Sequence, residues 1–145
     1  MNKLVFIFLV CLGTSVNAAN WVSIGDNEAS DFYYDSDSIK PVVYNGKTII
    51  KAWEKVVVKK ATPKTKVNDE MLSLTYFDCE NKLSGAKQIV TRRNGEVFEG
   101  LSSSISSPKL YDLVPESASE KMLDSVCADY QIKTGTRSYM KLNGE

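Results

Sequence analysis

Histidine is absent from all 145 residues. Its absence removes Ser-His-Asp and Cys-His nucleophilic catalysis and leaves no side chain with an unperturbed pKa near neutrality. It also leaves cysteine without the imidazole partner of a mixed tetrahedral metal site. Cysteine is itself scarce, with only Cys11, Cys79 and Cys127. No glycine-rich phosphate loop occurs, and Asp26-x-Glu28 and Asp35-x-Asp37 lack the Gly and terminal Glu of a calcium loop. Two carboxylate pairs remain, Asp35 with Asp37 and Asp78 with Glu80, and both fall at turns or strand ends where acids are ordinary solvated residues. The reading is a non-enzymatic chain with no catalytic residue, cofactor or metal. A charge excess is missing too. The 18 basic and 18 acidic residues balance, which gives no reason to invoke nucleic acid.

Long apolar runs are lacking except at the start, where residues 4–12 follow Met1-Asn2-Lys3. A positive start, a short apolar core and the small-residue exit around Val16 and Ala18 read as a secretory signal peptide over residues 1–18, cleaved after Ala18 or Ala19. A membrane span needs ~20 apolar residues, so this run is too short to be one, and no span follows it. Val10 before Cys11 is not the small residue that an acylated cysteine wants, so Cys11 leaves with the signal. The product is an exported protein, periplasmic, secreted or at the cell surface. Cys79 and Cys127 are then the only thiols, with one intramolecular connectivity. In an oxidising compartment they are expected as a disulfide, worth roughly 4 kcal/mol on the chain-entropy argument.

Strand-like runs cover residues 21–24, 31–35, 42–44, 48–59, 71–79, 87–91 and 97–99. Asn45-Gly46 and Asn94-Gly95 mark two-residue hairpin turns, and the short connections favour antiparallel pairing. Residues 60–69, with Pro63, and residues 100–108 read as loops. After Pro115, Ser117 and Glu120 form a capping box. Met122, Leu123, Val126, Cys127 and Tyr130 then share one stripe of a helix over 118–130. Cys79 shares a strand face with Phe77, Thr75, Ser73 and Met71, and that face is expected under the helix. The other face carries Leu72, Leu74 and Tyr76, which ask for cover from a rolled sheet or a second subunit, a homodimer. The fold class is α+β: a small antiparallel β-sheet with a C-terminal α-helix disulfide-tethered to one face. It occupies residues 20–130, ahead of a loosely held tail at 131–145.

Seven lysines lie between Lys47 and Lys66 against the single acid Glu54, while residues 26–37 are acidic. Lys51, Lys55 and Lys59 share a strand face that leads into Lys60, Lys64 and Lys66. Lys55, Lys59, Lys60, Lys64 and Lys66 form a candidate patch for polyanions or acidic protein surfaces. The same lysines also suit gatekeeping of a valine-rich strand against edge pairing, and sequence alone leaves both readings open. Trp21, Tyr33, Tyr34 and Trp53 read first as core aromatics.

The order of features is specific when taken together. A Trp-led start is followed by Phe32-Tyr33-Tyr34-Asp35 with Ser38-Ile39, then Ala52-Trp53, Tyr76-Phe77-Asp78-Cys79, and Leu113-Val114-Pro115-Glu116-Ser117 leading to Cys127. Over roughly residues 20–128 this resembles the surface-adhesin E family of bacterial exported domains. The resemblance implies a small antiparallel sheet with a tethered C-terminal helix and binding without catalysis. It further implies a dimer that engages host proteins such as vitronectin, laminin and plasminogen. This chain departs from the family in lacking a lipoprotein signal and in the plain segment Glu80-Asn81-Lys82-Leu83-Ser84-Gly85. The expected function is a non-enzymatic exported binding domain for a protein or polyanionic partner, a host matrix protein or an envelope protein. The alternative is a periplasmic inhibitor or accessory protein of an envelope enzyme.

Overall fold

A computed structural model describes residues 18–98 and 103–136. Residues 1–17 of the expected signal peptide and 137–145 of the expected tail lie outside the described residues. In chain order the elements are β1 (Trp21–Asp26), β2 (Ser30–Asp35), a 3-10 turn (Ser36–Ser38), β3 (Lys40–Tyr44), β4 (Lys47–Val58), β5 (Glu70–Asp78), β6 (Leu83–Arg93), β7 (Glu96–Val97), β8 (Ser103–Ser104), β9 (Tyr111–Asp112) and α1 (Ala118–Thr134). The described strands join one curled sheet in the order β1-β2-β4-β5-β6-β7, with β3 also on β4 and both β8 and β9 on β6. Every pairing is antiparallel. Asn45 and Gly46 (φ 47° and 77°) and Asn94 and Gly95 (φ 54° and 83°) supply the paired positive φ values that tight hairpins need.

β4 organises the sheet. On one side it pairs with β5, from Ile50 opposite Phe77 to Val57 opposite Glu70. The other side is shared end to end. β3 pairs from Lys40 opposite Lys51 to Tyr44 opposite Lys47, and β2 pairs from Ser30 opposite Val58 to Tyr34 opposite Glu54. At the junction the Trp53 amide would lose its strand partner, and it donates instead to Ser38 Oγ at 2.8 Å.

The expected stripe of α1 is the buried one: Met122, Leu123, Val126 and Cys127 pack on Tyr34, Ile50, Ala52 and Phe77. The Ser117 hydroxyl accepts from the Glu120 amide at 3.2 Å, and the Glu120 carboxylate accepts from the Glu116 amide at 2.7 Å. The Cys79–Cys127 disulfide, with Cα atoms 5.9 Å apart, ties the stripe to the end of β5. The helix runs past the expected end at Tyr130 and stops at Thr134, capped by Gly135 at φ 65°. Lys133 holds this last turn, donating to the Ser36 carbonyl and hydroxyl at 2.5 and 2.7 Å and pairing with Asp129 at 3.3 Å. Residues 131–134 are therefore helix rather than tail.

The seat of the helix is shorter than expected. Thr75 and Phe77 are buried, but Met71, at the far end of the same face, is 42% exposed. β5 is longer than the width of a helix crossing it, so only its Cys79 end is covered. On the opposite face, residues 108–110 fold over the Tyr76 end. Tyr44 stands edge-on to Tyr76 at 6.0 Å and donates its hydroxyl to the Pro108 carbonyl at 2.5 Å. Gly85 is what admits this segment, because a Cβ there would collide with the Lys109 carbonyl oxygen.

Candidate functional site

The lysine-bearing connection between β4 and β5 is a built loop. Around Pro63, Thr62 Oγ1 accepts the Lys64 and Thr65 amides at 3.3 and 3.1 Å and meets Thr65 Oγ1 at 2.8 Å. At its far end Asn68 (φ 68°) donates its amide to Val58 O at 2.8 Å. Asp69 is 2% exposed and closes the loop on two sides. It accepts the Lys66 amide at 2.8 Å and both arms of Arg93, Nε to Oδ1 at 2.9 Å and Nη2 to Oδ2 at 2.7 Å. The Arg93 hydrogen bonds, then the Lys66 amide, outweigh burial and hold the Asp69 carboxyl down at about 2. Arg93 also lies 4.6 Å over the Phe98 ring. Thr62, Lys64, Lys66, Arg93 and Phe98 thereby border a shallow groove of about 530 Å³.

The five candidate lysines fall into three environments. Lys60, Lys64 and Lys66 are exposed and form no ion pair among the described residues. Lys59 is drawn the other way. β2 pairs Asp31 with Val57, and the turn into β1 brings Asp26 alongside, so Lys59 Nζ meets Asp26 Oδ2 at 2.5 Å and Asp31 Oδ1 at 3.3 Å. The hydrogen bond to Asp26 raises the Lys59 pKa. Lys55 stands on the sheet face, its Nζ 4.4 Å over the Trp21 ring and 5.0 Å over Tyr33. The loop trio stays together, while Lys59 is neutralised and Lys55 is set apart among aromatics.

Sequence reasoning missed Arg93 and Phe98 as neighbours of the loop. The hairpin at Asn94-Gly95 was the available signal, since it turns the chain back on β6, whose Arg92 pairs with Glu70, the residue next to Asp69. One member of each carboxylate pair, Asp35 and Asp78, accepts backbone amides, while Glu80 pairs with Lys47 at 2.7 Å. Asp35 Oδ1 accepts the Asn20 and Asp37 amides at 2.9 and 3.1 Å. Burial would raise the Asp78 pKa, but the Asn81 amides and Lys47 outweigh it and keep it lowered. Among the described residues no group of three acidic or thiol side chains is placed to hold a metal.

Across residues 21–128 the chain matches the model of the surface-adhesin protein E family. No curated protein and no solved structure shows significant similarity to it. Among the described residues no helix is long and apolar enough to cross a membrane. The family match supports an adhesin-like surface protein. With a match over most of its length, the chain belongs to the surface-adhesin protein E family.

Proposed function

We propose that the chain is exported by removal of residues 1–18 and works as a non-enzymatic binding domain, its β4–β5 loop docking on the acidic surface of a host matrix protein. The carrying observation is that Lys60, Lys64 and Lys66 project, without ion-pair partners among the described residues, from a loop pinned by Asp69 and Arg93. Unpaired exposed cations steer an acidic partner, and a pinned loop loses little entropy when it docks. The family match supports the adhesin-like role.

The test is binding of the mature protein to immobilised laminin and vitronectin over a salt series, beside Lys60→Gln/Lys64→Gln/Lys66→Gln. At least ~10-fold weaker binding by the variant, about 1.4 kcal/mol, with a flatter salt dependence, is expected. Equal binding by both proteins, insensitive to salt, would remove the loop from the account.

A further inference from the structure

The sheet face turned away from α1 carries a second cationic feature, separate from the loop. Ile50 and Ala52 are buried under the helix, so strand alternation turns Lys51, Trp53 and Lys55 to the opposite side. There Lys51 stands directly across from Lys40. Like charges directly opposite each other on a sheet are destabilising. Neither lysine forms an ion pair among the described residues. The two carboxylates of β2 are committed elsewhere, Asp31 to Lys59 and Asp35 to the Asn20 and Asp37 amides. Lys55 is held between the rings of Trp21 and Tyr33. Trp53 lies between Lys51 and Lys55 on the strand, half-buried, with Leu74 opposite it on β5.

The face thus alternates cation, flat ring and cation, and Lys51 and Lys55 sit about 13 Å apart at ~3.3 Å per residue. We propose that it binds an anionic polysaccharide, whose sugar ring stacks on Trp53 while its acidic groups pair with Lys40, Lys51 and Lys55. A polysaccharide matches this surface because it too alternates apolar ring faces with fixed charges along an extended chain. Its acidic groups would also relieve the Lys40–Lys51 repulsion. This site is independent of the β4–β5 loop, so it stands or falls separately from the loop's docking role.

The test uses the full mature protein with heparin as probe and neutral dextran and a single-stranded DNA oligonucleotide as controls, read by calorimetry at 0.15 M salt. Heparin is expected to bind, to raise the thermal midpoint and to shift an indole N–H resonance of Trp53. Lys40→Gln/Lys51→Gln and Trp53→Leu should each weaken heparin at least tenfold, while Lys60→Gln/Lys64→Gln/Lys66→Gln changes it less than twofold. The midpoint of Lys40→Gln/Lys51→Gln without heparin should equal or exceed wild type, which separates lost binding from lost folding. No heparin binding, dextran bound as well as heparin, DNA bound more tightly than heparin, or a loss confined to the loop variant would each overturn the proposal.

Discussion

The Thr75 hydroxyl donates to Glu54 Oε2 at 2.8 Å, joining β5 to β4 diagonally on the helix-side face. Glu54 forms no ion pair among the described residues, and burial pushes its carboxyl up to about 7, with the Thr75 bond opposing in part. The folded protein therefore keeps this proton over a pH range where the unfolded chain, titrating near 4.5, has lost it. Stability should fall as pH rises from about 4.5 to 7 and then level off. Glu54→Gln should remove that decline and raise stability at pH 8 by roughly 1–3 kcal/mol, allowing for partial solvent access. Urea unfolding of both proteins at pH 5 and pH 8 checks it; an equal gain or loss at the two pH values would contradict the assignment.

Asp69 should behave in the opposite sense. Its carboxyl is held at about 2 in the folded chain against an ordinary 3.8, so its contribution is complete above pH 4 and fades as pH falls toward 2. Asp69→Asn should lower the thermal midpoint at pH 7 by several degrees and change it little at pH 2. Because Asp69 also pins Lys66 and Arg93, the same variant should speed amide exchange over residues 60–68.

Gly85→Ala should be far more harmful than a methyl group suggests. The added Cβ meets backbone, the Lys109 carbonyl, which cannot rotate away as a side chain would. A loss of about 1–3 kcal/mol is expected. Tyr44→Phe removes only the hydrogen bond to Pro108 and should cost about 1 kcal/mol. Chemical denaturation of the two variants side by side checks the order.

The disulfide closes a sequence separation of 48 residues, and its removal by Cys79→Ala/Cys127→Ala should cost roughly 4 kcal/mol. If residues 1–18 are removed on export, as proposed, the native oxidised protein should show no titratable thiol. Loss of the bond should free α1 first, read as faster exchange at Val126 and its neighbours than in the β4–β5 pair.

The legible features were local ones. The stripe from Met122 to Cys127 follows from helical period, and the turns at Asn45-Gly46 and Asn94-Gly95 from the φ values that their residues tolerate. What sequence did not show depends on register between distant segments. The acidic run at 26–31 and Lys59 cancel only because β2 lies beside the end of β4. Met71 escapes burial because the helix crosses just one end of β5. Trp21 and Tyr33, read as core aromatics, instead flank Lys55, a contact set by the β1–β2–β4 order.

The most direct test of the binding account is a hydrogen-exchange footprint of the mature protein with and without a bound matrix protein such as laminin. The account predicts protection over residues 60–68 and at the Arg93 hairpin, with α1 unchanged. Protection confined to α1, with residues 60–68 exchanging as freely as in the unbound protein, would contradict it.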